Sequence, residues 1–158
     1  MNDETPLWQK MASAGAMMIQ GTPQARALGM RVVSITEARA VVEVDWREDL
    51  VGDPETGVIA SGVVTTLLDN SCGVAAFAAL SEPTSTATLD LRIDYMRPAR
   101  KGATIRADAH CYRMTKTVAF VRAFAFDSAD ETDPVAAAQA AFMMGTSSRM
   151  GKNRRPPA

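Results

Sequence analysis

The sequence predicts an α+β fold: a curved antiparallel β-sheet wrapped around one long central helix, with an N-terminal helical extension. Three observations carry this. From residue 88 the chain falls into segments that alternate with a period of two, the mark of half-buried strands. Residues 59–80 form one apolar run suited to a helix that must be enclosed. Finally, 27 of 158 residues are alanine against 6% aromatics, so the core is built from small side chains that let backbones approach closely. A chain of this length fits one domain. It buries about two thirds of the unfolded surface and needs no disulfide or metal staple.

Taken in order, residues 6–20 place Leu7, Met11, Ala14 and Met18 at three-to-four spacing, an amphipathic helix. Thr22-Pro23 supplies the N-cap and first position of a second, short helix that ends at Gly29. Residues 31–37 and 39–46 are two strands; Val41, Glu43 and Asp45 alternate with Val42, Val44 and Trp46, and the pair forms a hairpin. Asp53-Pro54-Glu55-Thr56-Gly57 is turn chemistry. The central helix covers 59–80. Four strands follow, over 88–95, 103–112, 117–126 and 135–144. Pro98 stops the first of these, Lys101-Gly102 turns the chain, and 127–134 is a loop. The last segment has the alanine content of a helix, but it follows two strands and ends at Gly145, so it is assigned as a strand. The segregation of one helix from a run of antiparallel strands is what defines α+β. The expected organisation is a helical segment at 1–28, the sheet-and-helix domain at 29–148, and a basic tail at 149–158.

Several functions are excluded. His110 is the single histidine. One chain therefore cannot build a multi-histidine metal site, and a histidine-dependent triad would have to use His110 or borrow from a second subunit. Cys72 and Cys111 form no Cys-x-x-Cys pair, which removes zinc-ribbon and thioredoxin-type chemistry. A net charge of −1 and pI of about 5.8 argue against nucleic acid as a partner. The basic tail, with Arg149, Lys152, Arg154 and Arg155, is read as a solubilising end. Met1-Asn2-Asp3-Glu4 is acidic where a signal peptide is basic. The run over 59–80 is long enough for a bilayer, but Thr65, Thr66, Asp69, Asn70 and Ser71 lie at its centre, where lipid would penalise them. A buried helix and a cytoplasmic location are expected, with no membrane partner.

Those polar residues carry the functional signal. At 3.6 residues per turn, Gly62, Thr65 or Thr66, Asp69, and Cys72 or Gly73 share one face, with Ser61 as the expected N-cap. Val64, Leu67, Leu68, Ser71, Val74, Ala75 and Ala78 fall mostly on the other. Aspartate is a poor mid-helix residue, by about half a kcal/mol relative to alanine, and an acid in apolar surroundings costs more unless it is paired or lines a cleft. Asp69 has a structural reading, a bond to a backbone amide or an arginine. It also has a catalytic one. Burial would tune it as a base, and the glycine-started helix N-terminus within two turns would offer N–H donors to an oxyanion.

The same residues resemble the hotdog-fold acyl-CoA thioesterases, in particular their PaaI-like subgroup, over about 29–145. That subgroup carries Asn-Pro, a glycine, His-Gly-Gly opening the central helix, then Leu-x-Asp or Leu-x-Glu. Here the stretch runs from Asp53-Pro54 through Gly57 to Ala60-Ser61-Gly62 and Leu67-Leu68-Asp69. Downstream, Leu89-Asp90-Leu91-Arg92-Ile93-Asp94-Tyr95-Met96-Arg97-Pro98-Ala99 followed by Gly102 is similar to the family's strand ending in an aromatic and a Pro-Ala turn. The resemblance implies that Asp69 is the catalytic carboxylate, acting on water or as nucleophile. It implies that the Gly62 amide region polarises the thioester carbonyl, and that Thr88, from the partner subunit, helps place the water. It also implies a homodimer or homotetramer joined edge to edge, with the site between subunits, and neither metal nor bound cofactor.

Three positions depart from the pattern: Ala60 stands for the histidine, Ser61 for the first glycine and Asp53 for the asparagine. Alanine cannot orient a carbonyl or a water through its side chain. Asp53 would raise the pKa of one carboxyl if it approached Asp69. The expected activity is hydrolysis of an acyl-CoA thioester, with an aryl-acyl group among the candidates, to free acid and CoA. The alternative is an acyl-CoA binder or sensor that keeps the pocket without the chemistry. Ala60, Ser61, Thr65 and Thr66 are candidate substrate contacts, and Arg97 and Arg100, clustered with Lys101 after a strand end, are candidates for the CoA phosphates. Cys72 is expected to be an inert packed thiol, and His110 a surface residue on the polar side of a strand. The ten methionines are core or interface filler, some able to line an adaptable acyl pocket.

Overall fold

A computed structural model of the chain describes residues 7–82 and 84–145, with the side chains of residues 7, 8, 11, 12 and 18 set aside. Of the stripe expected on the first helix, Leu7, Met11 and Met18 therefore fall outside the described side chains, and the basic tail over 149–158 falls outside the described residues. The elements are α1 (Leu7–Gly21), α2 (Pro23–Leu28), β1 (Arg31–Thr36), β2 (Arg39–Val44), a 3-10 turn (Glu48–Leu50), β3 (Val51–Asp53), β4 (Val58–Ile59), α3 (Ser61–Ala78), β5 (Thr86–Tyr95), β6 (Ile105–Met114), β7 (Val118–Phe126) and β8 (Ala136–Met144).

Local chemistry explains the boundaries. The Thr22 hydroxyl accepts from the Ala25 amide at 3.3 Å, and Pro23 needs no donor partner in the first turn. Gly29 closes α2 at φ 68°, a left-handed cap that favours glycine. The hairpin β1–β2 turns through Glu37 and Ala38, the latter at φ 58°. β2 ends two residues earlier than its alternation predicts. Asp45 leaves the ladder to take Arg31 and the Thr104 hydroxyl, and Trp46 leaves it to donate to the Gly57 carbonyl at 2.9 Å.

Six strands form one antiparallel sheet in the order β1-β2-β6-β7-β8-β5, and β3 and β4 form a separate ribbon. β8 is a strand despite its alanines. It is hydrogen-bonded on both sides, to β7 and β5, and its residues alternate between buried and less buried. Pairing within the sheet overrides alanine's helix preference. The inner face is paved by Ala40, Ala107, Ala109, Ala119, Ala123, Ala125, Ala136, Ala138 and Ala140, all buried. Against it α3 presses Leu67, Leu68, Cys72, Val74, Ala75 and Ala76. α1 crosses the C-terminal half of α3. A Cβ at Gly15 would lie 3.2 Å from Val74 Cγ1 and 3.5 Å from Ile35 Cδ1, so the glycine eases a close approach that a larger residue would crowd against Val74.

Enclosure of α3 is incomplete in one chain. Ser61 and Gly62 are exposed, and Thr65, Thr66, Asp69, Asn70 and Gly73 are half-buried. This open stripe lies beside β5, the outermost strand of the sheet. Among the described residues, no helix is long and apolar enough to cross a membrane.

Candidate active site

The N-terminus of α3 is fixed by what precedes it. The turn at Asp53 is self-contained, with its carboxylate accepting from the Thr56 hydroxyl at 2.6 Å and the Glu55 amide at 3.1 Å. The Thr56 bond, then that of Glu55, holds the Asp53 carboxyl below its usual range. Asp53 is thus taken up by its own turn. The Ala60 amide donates to Leu50 O at 2.9 Å, and Gly52 accommodates Ala60 so closely that an added Cβ would fall 2.7 Å from the Ala60 Cα.

The cap differs from the expected one. Ala60, extended at φ −60° and ψ 136°, is the N-cap, and Ser61 is the first helical residue. Among the described residues no side chain caps this terminus, and the first-turn amides of an α-helix have no intrahelical acceptor. A Cβ placed on Gly62 would meet nothing within 4 Å. The terminus is open to a ligand, with its partial positive charge unoccupied by any side chain of the cap.

Along the stripe most polar side chains turn back onto the helix. Thr65 and Thr66 donate to the carbonyls of Ser61 and Gly62 at 3.0 and 2.8 Å. Asn70 and Ser71 donate to those of Thr66 and Leu67 at 2.8 and 2.7 Å. A carboxylate has no proton to give a carbonyl. Asp69 therefore points out of the helix, half-buried, and its Oδ1 accepts from the Thr88 hydroxyl of β5 at 3.0 Å. The resemblance places this hydroxyl across the subunit interface; here it reaches Asp69 of its own chain. A β-bulge between Thr88 and Asp90 puts Thr88 on the face toward α3, beside buried Phe142.

The opposite end of β5 is pinned to the same helix. Tyr95 Oη lies 2.9 Å from Ser61 O and 2.7 Å from Thr65 Oγ1; with the Thr65 proton on Ser61 O, the single Tyr95 proton serves one of these two acceptors. Sequence reasoning passed over Tyr95 as a site residue. The available signal was its place in the alternating set Leu91, Ile93, Tyr95, which puts it on the helix side of the strand although it is 47% exposed. Beside it, Val58, Ile59, Val64, Tyr95 and Met96 help line a mainly apolar cleft of 360 Å³.

The other candidates separate. Cys72 lies on the core face, which leaves Gly73 on the stripe; burial, with Asp69 adding to it, pushes the thiol up to about 12, away from the reactive thiolate. Arg97 has a different task from the phosphate contact expected of it. Its guanidinium donates twice to Asp127, at 2.7 and 2.8 Å, and to the Asp133 carbonyl at 2.7 Å. Its donors are committed to fixing the β7–β8 loop. Arg100 is exposed; its amide donates to Asp127 at 2.8 Å, and its Nε stands 3.8 Å from the same carboxylate while most of the side chain meets solvent. His110 projects from the sheet face opposite α3, remote from this chemistry. Among the described residues no group of three or more His, Cys, Asp or Glu side chains could hold a metal ion.

These elements set an outward carboxylate on one long helix packed against a six-stranded antiparallel sheet. A family model described as the thioesterase superfamily matches residues 56–133. A Halobacterium salinarum protein that bears an esterase name is 31% identical over 109 residues, 67% of this chain and 71% of that one. The chain belongs to the thioesterase superfamily. Among particular relatives, it is 27% identical over 150 residues to the medium/long-chain acyl-CoA thioesterase YigI of Escherichia coli K12, 87% of this chain and 95% of that one. A Pseudomonas aeruginosa crystal structure is 33% identical with a TM-score of 0.76, covering 84% of this chain and 98% of that one. The E. coli PaaI protein from the phenylacetic acid degradation operon, at 21% identity and TM-score 0.75 over 89% of this chain and 96% of that one, shares the hotdog fold.

Proposed function

We propose that the protein hydrolyses acyl-CoA thioesters, with Asp69 as the base. The observation that carries this reading is the Asp69 carboxylate itself, turned out of α3, held by Thr88 and sharing an open stripe with an uncapped helix terminus. In the proposed step Asp69 accepts a proton from water as the water oxygen bonds to the thioester carbon. The charge that develops on the carbonyl oxygen is met by the amides at Gly62. The C–S bond then breaks, the acid leaves, and CoA departs as a thiolate that takes up a proton. Thr88 fixes the carboxylate so that one oxygen faces the water. The apolar cleft beside Tyr95 receives part of the acyl group, and Arg100, with Lys101 near it, meets the CoA phosphates.

The working unit in this reading is a homodimer. Seven residues of helix separate Gly62 from Asp69 by about 10 Å along the axis. The contact chain from donor through carbonyl and water to base, each link about 3 Å, could bridge that length within one chain only when stretched in line along the helix. Two copies with antiparallel α3 helices would bring the base of one to the terminus of the other. β5 offers the means: it is a sheet edge whose unpaired backbone invites a second strand, and Leu89 and Met96 are 52% and 56% exposed on or next to it.

The test is release of free thiol from aryl-, short-, medium- and long-chain acyl-CoAs. Turnover in the native protein should fall at least about a hundredfold in Asp69→Asn, a typical loss for a positioned base, and less in Thr88→Ala. Tight binding of CoA esters with no turnover, together with turnover gained in Ala60→His, would replace the enzyme with the binder favoured by the missing motif side chain. Unchanged turnover in Asp69→Asn would remove the site assignment.

A further inference from the structure

The outer face of the sheet, turned away from α3, carries a feature the thioester chemistry does not use. Cross-strand partners place Arg39, His110, Arg122, Gln139 and Arg92 in one row across five strands. At the centre of the row the β7–β8 loop rises beside the sheet and completes a cavity of 560 Å³. Its polar wall holds Arg39, His110, Arg122 and Asp108; its apolar wall holds Phe124, Phe126 and Pro134, with Glu131 and Thr132 on the loop.

The charges do not balance. Glu131 is taken by Arg106 at 2.9 Å, whose guanidinium also lies over the Phe126 ring. Asp108 stands 3.9 Å from Arg39. Among the described residues Arg122 has no carboxylate partner, only the Tyr112 ring at 6.0 Å. Three arginines thus face two carboxylates, and like charges on neighbouring strands repel. His110 sits between Arg39 and Arg122. Its Nδ1 is buried with no hydrogen-bond partner among the described residues, and a neutral imidazole carries one N–H donor on one of its two nitrogens. Desolvation first, then Arg39 and Arg122, outweigh Asp108 and hold this imidazole below its ordinary range.

We propose that this cavity binds a small organic monoanion, its carboxylate taken by Arg122, Arg39 and His110 and its apolar or aromatic body laid against Phe124 and Phe126. One excess positive charge matches one negative charge. The carboxylates of Asp108 and Glu131 in the wall disfavour a dianion. A planar fork is the arginine geometry that suits a carboxylate, and Phe124, 41% exposed, supplies a free aromatic face. The site is independent of Asp69 and lies on the other side of the sheet.

The lone histidine is its own reporter. Benzoate is titrated into the full-length protein near neutral pH, following the His110 Cε1–H resonance by NMR, with inorganic phosphate as the second probe. A saturable shift in the millimolar range or tighter, an imidazole that protonates more readily when benzoate is bound, and affinity weakened at least about tenfold in Arg122→Gln are the expected results. Circular dichroism checks that this variant is folded, and Asp108→Asn, which removes a competing charge, should bind benzoate more tightly. No saturable shift up to about 50 mM would overturn the proposal, as would equal binding by Arg122→Gln. Phosphate binding as tight as benzoate would reduce the site to an adventitious anion contact. A concentration-dependent shift of the same resonance without benzoate would assign the face to a second copy.

Discussion

Asp69 and Gly62 show how differently single residues announce themselves. Asp69 is legible because it contradicts its surroundings: a charged, helix-disfavouring residue in an apolar run must have a partner, and the partner is Thr88. Gly62 is legible only through the family pattern, since glycine in a first turn has many ordinary explanations. Gly62→Ala separates them. The added methyl meets open space and stiffens the helix, so stability should rise by about 0.5–1 kcal/mol. In the proposed reading the same methyl sits where the thioester carbonyl approaches, and turnover should fall about tenfold or more, below the full loss of a donor. Thermal unfolding and thiol release on one preparation check both halves; a stabilised variant with full turnover would take Gly62 out of the site. Less legible was the cap. Serine is the better capping residue in general, yet the chain enters the helix one residue earlier because the Ala60 amide is already bonded to Leu50, a contact set by the β3–β4 ribbon and invisible in the helix's own sequence.

Among the elements, the long ones were readable and the short ones were not. β5 to β8 each span nine or ten residues, enough for a period of two to declare itself, whereas β3 and β4 pair over three and two residues and carry only their turn. β5 is the element with most at stake. Its inner side meets α3 at both ends, through Thr88 and Tyr95, and its outer edge pairs with no strand among the described residues. If that edge joins two copies, a charge on it should keep them apart. Leu89→Lys is expected to convert a dimer to a monomer in sedimentation velocity while far-ultraviolet circular dichroism is unchanged. Thiol release should fall with the dimer, because the base and the helix terminus of one reaction would then belong to separated molecules. A monomeric variant with full turnover would place the whole site within one chain.

At the scale of the molecule, the β7–β8 loop is tied to the turn after β5 by Arg97 and Asp127. The Asp127 side chain is wholly buried and that of Arg97 is 21% exposed. The basic cluster was visible in the sequence but its purpose was not, since the acid that claims Arg97 lies thirty residues on and no local pattern links them. Arg97 above all, then the Arg100 amide, holds the Asp127 carboxyl down to about 2 from its ordinary 3.8. A carboxyl depressed in the fold contributes stability above its unfolded value and loses it as pH falls through the folded one. Asp127→Asn should cost about 2–3 kcal/mol by urea unfolding at neutral pH, less than a fully buried pair because Arg97 keeps some water. It should also flatten the acid loss of stability between roughly pH 4 and 2. An unchanged urea midpoint would show that the pair only decorates the loop. The alanine paving beneath α3 has a different consequence, for the spectrum of substitutions the chain can survive. Most domains are injured by shrinking their core residues, which opens voids. At Ala107, Ala109, Ala123 and Ala138 almost nothing can be removed, whereas even valine must displace a helix seated directly above, at about 1–3 kcal/mol each. In a library of random variants these positions should tolerate glycine better than any larger residue, the reverse of the profile a leucine-rich interior leaves.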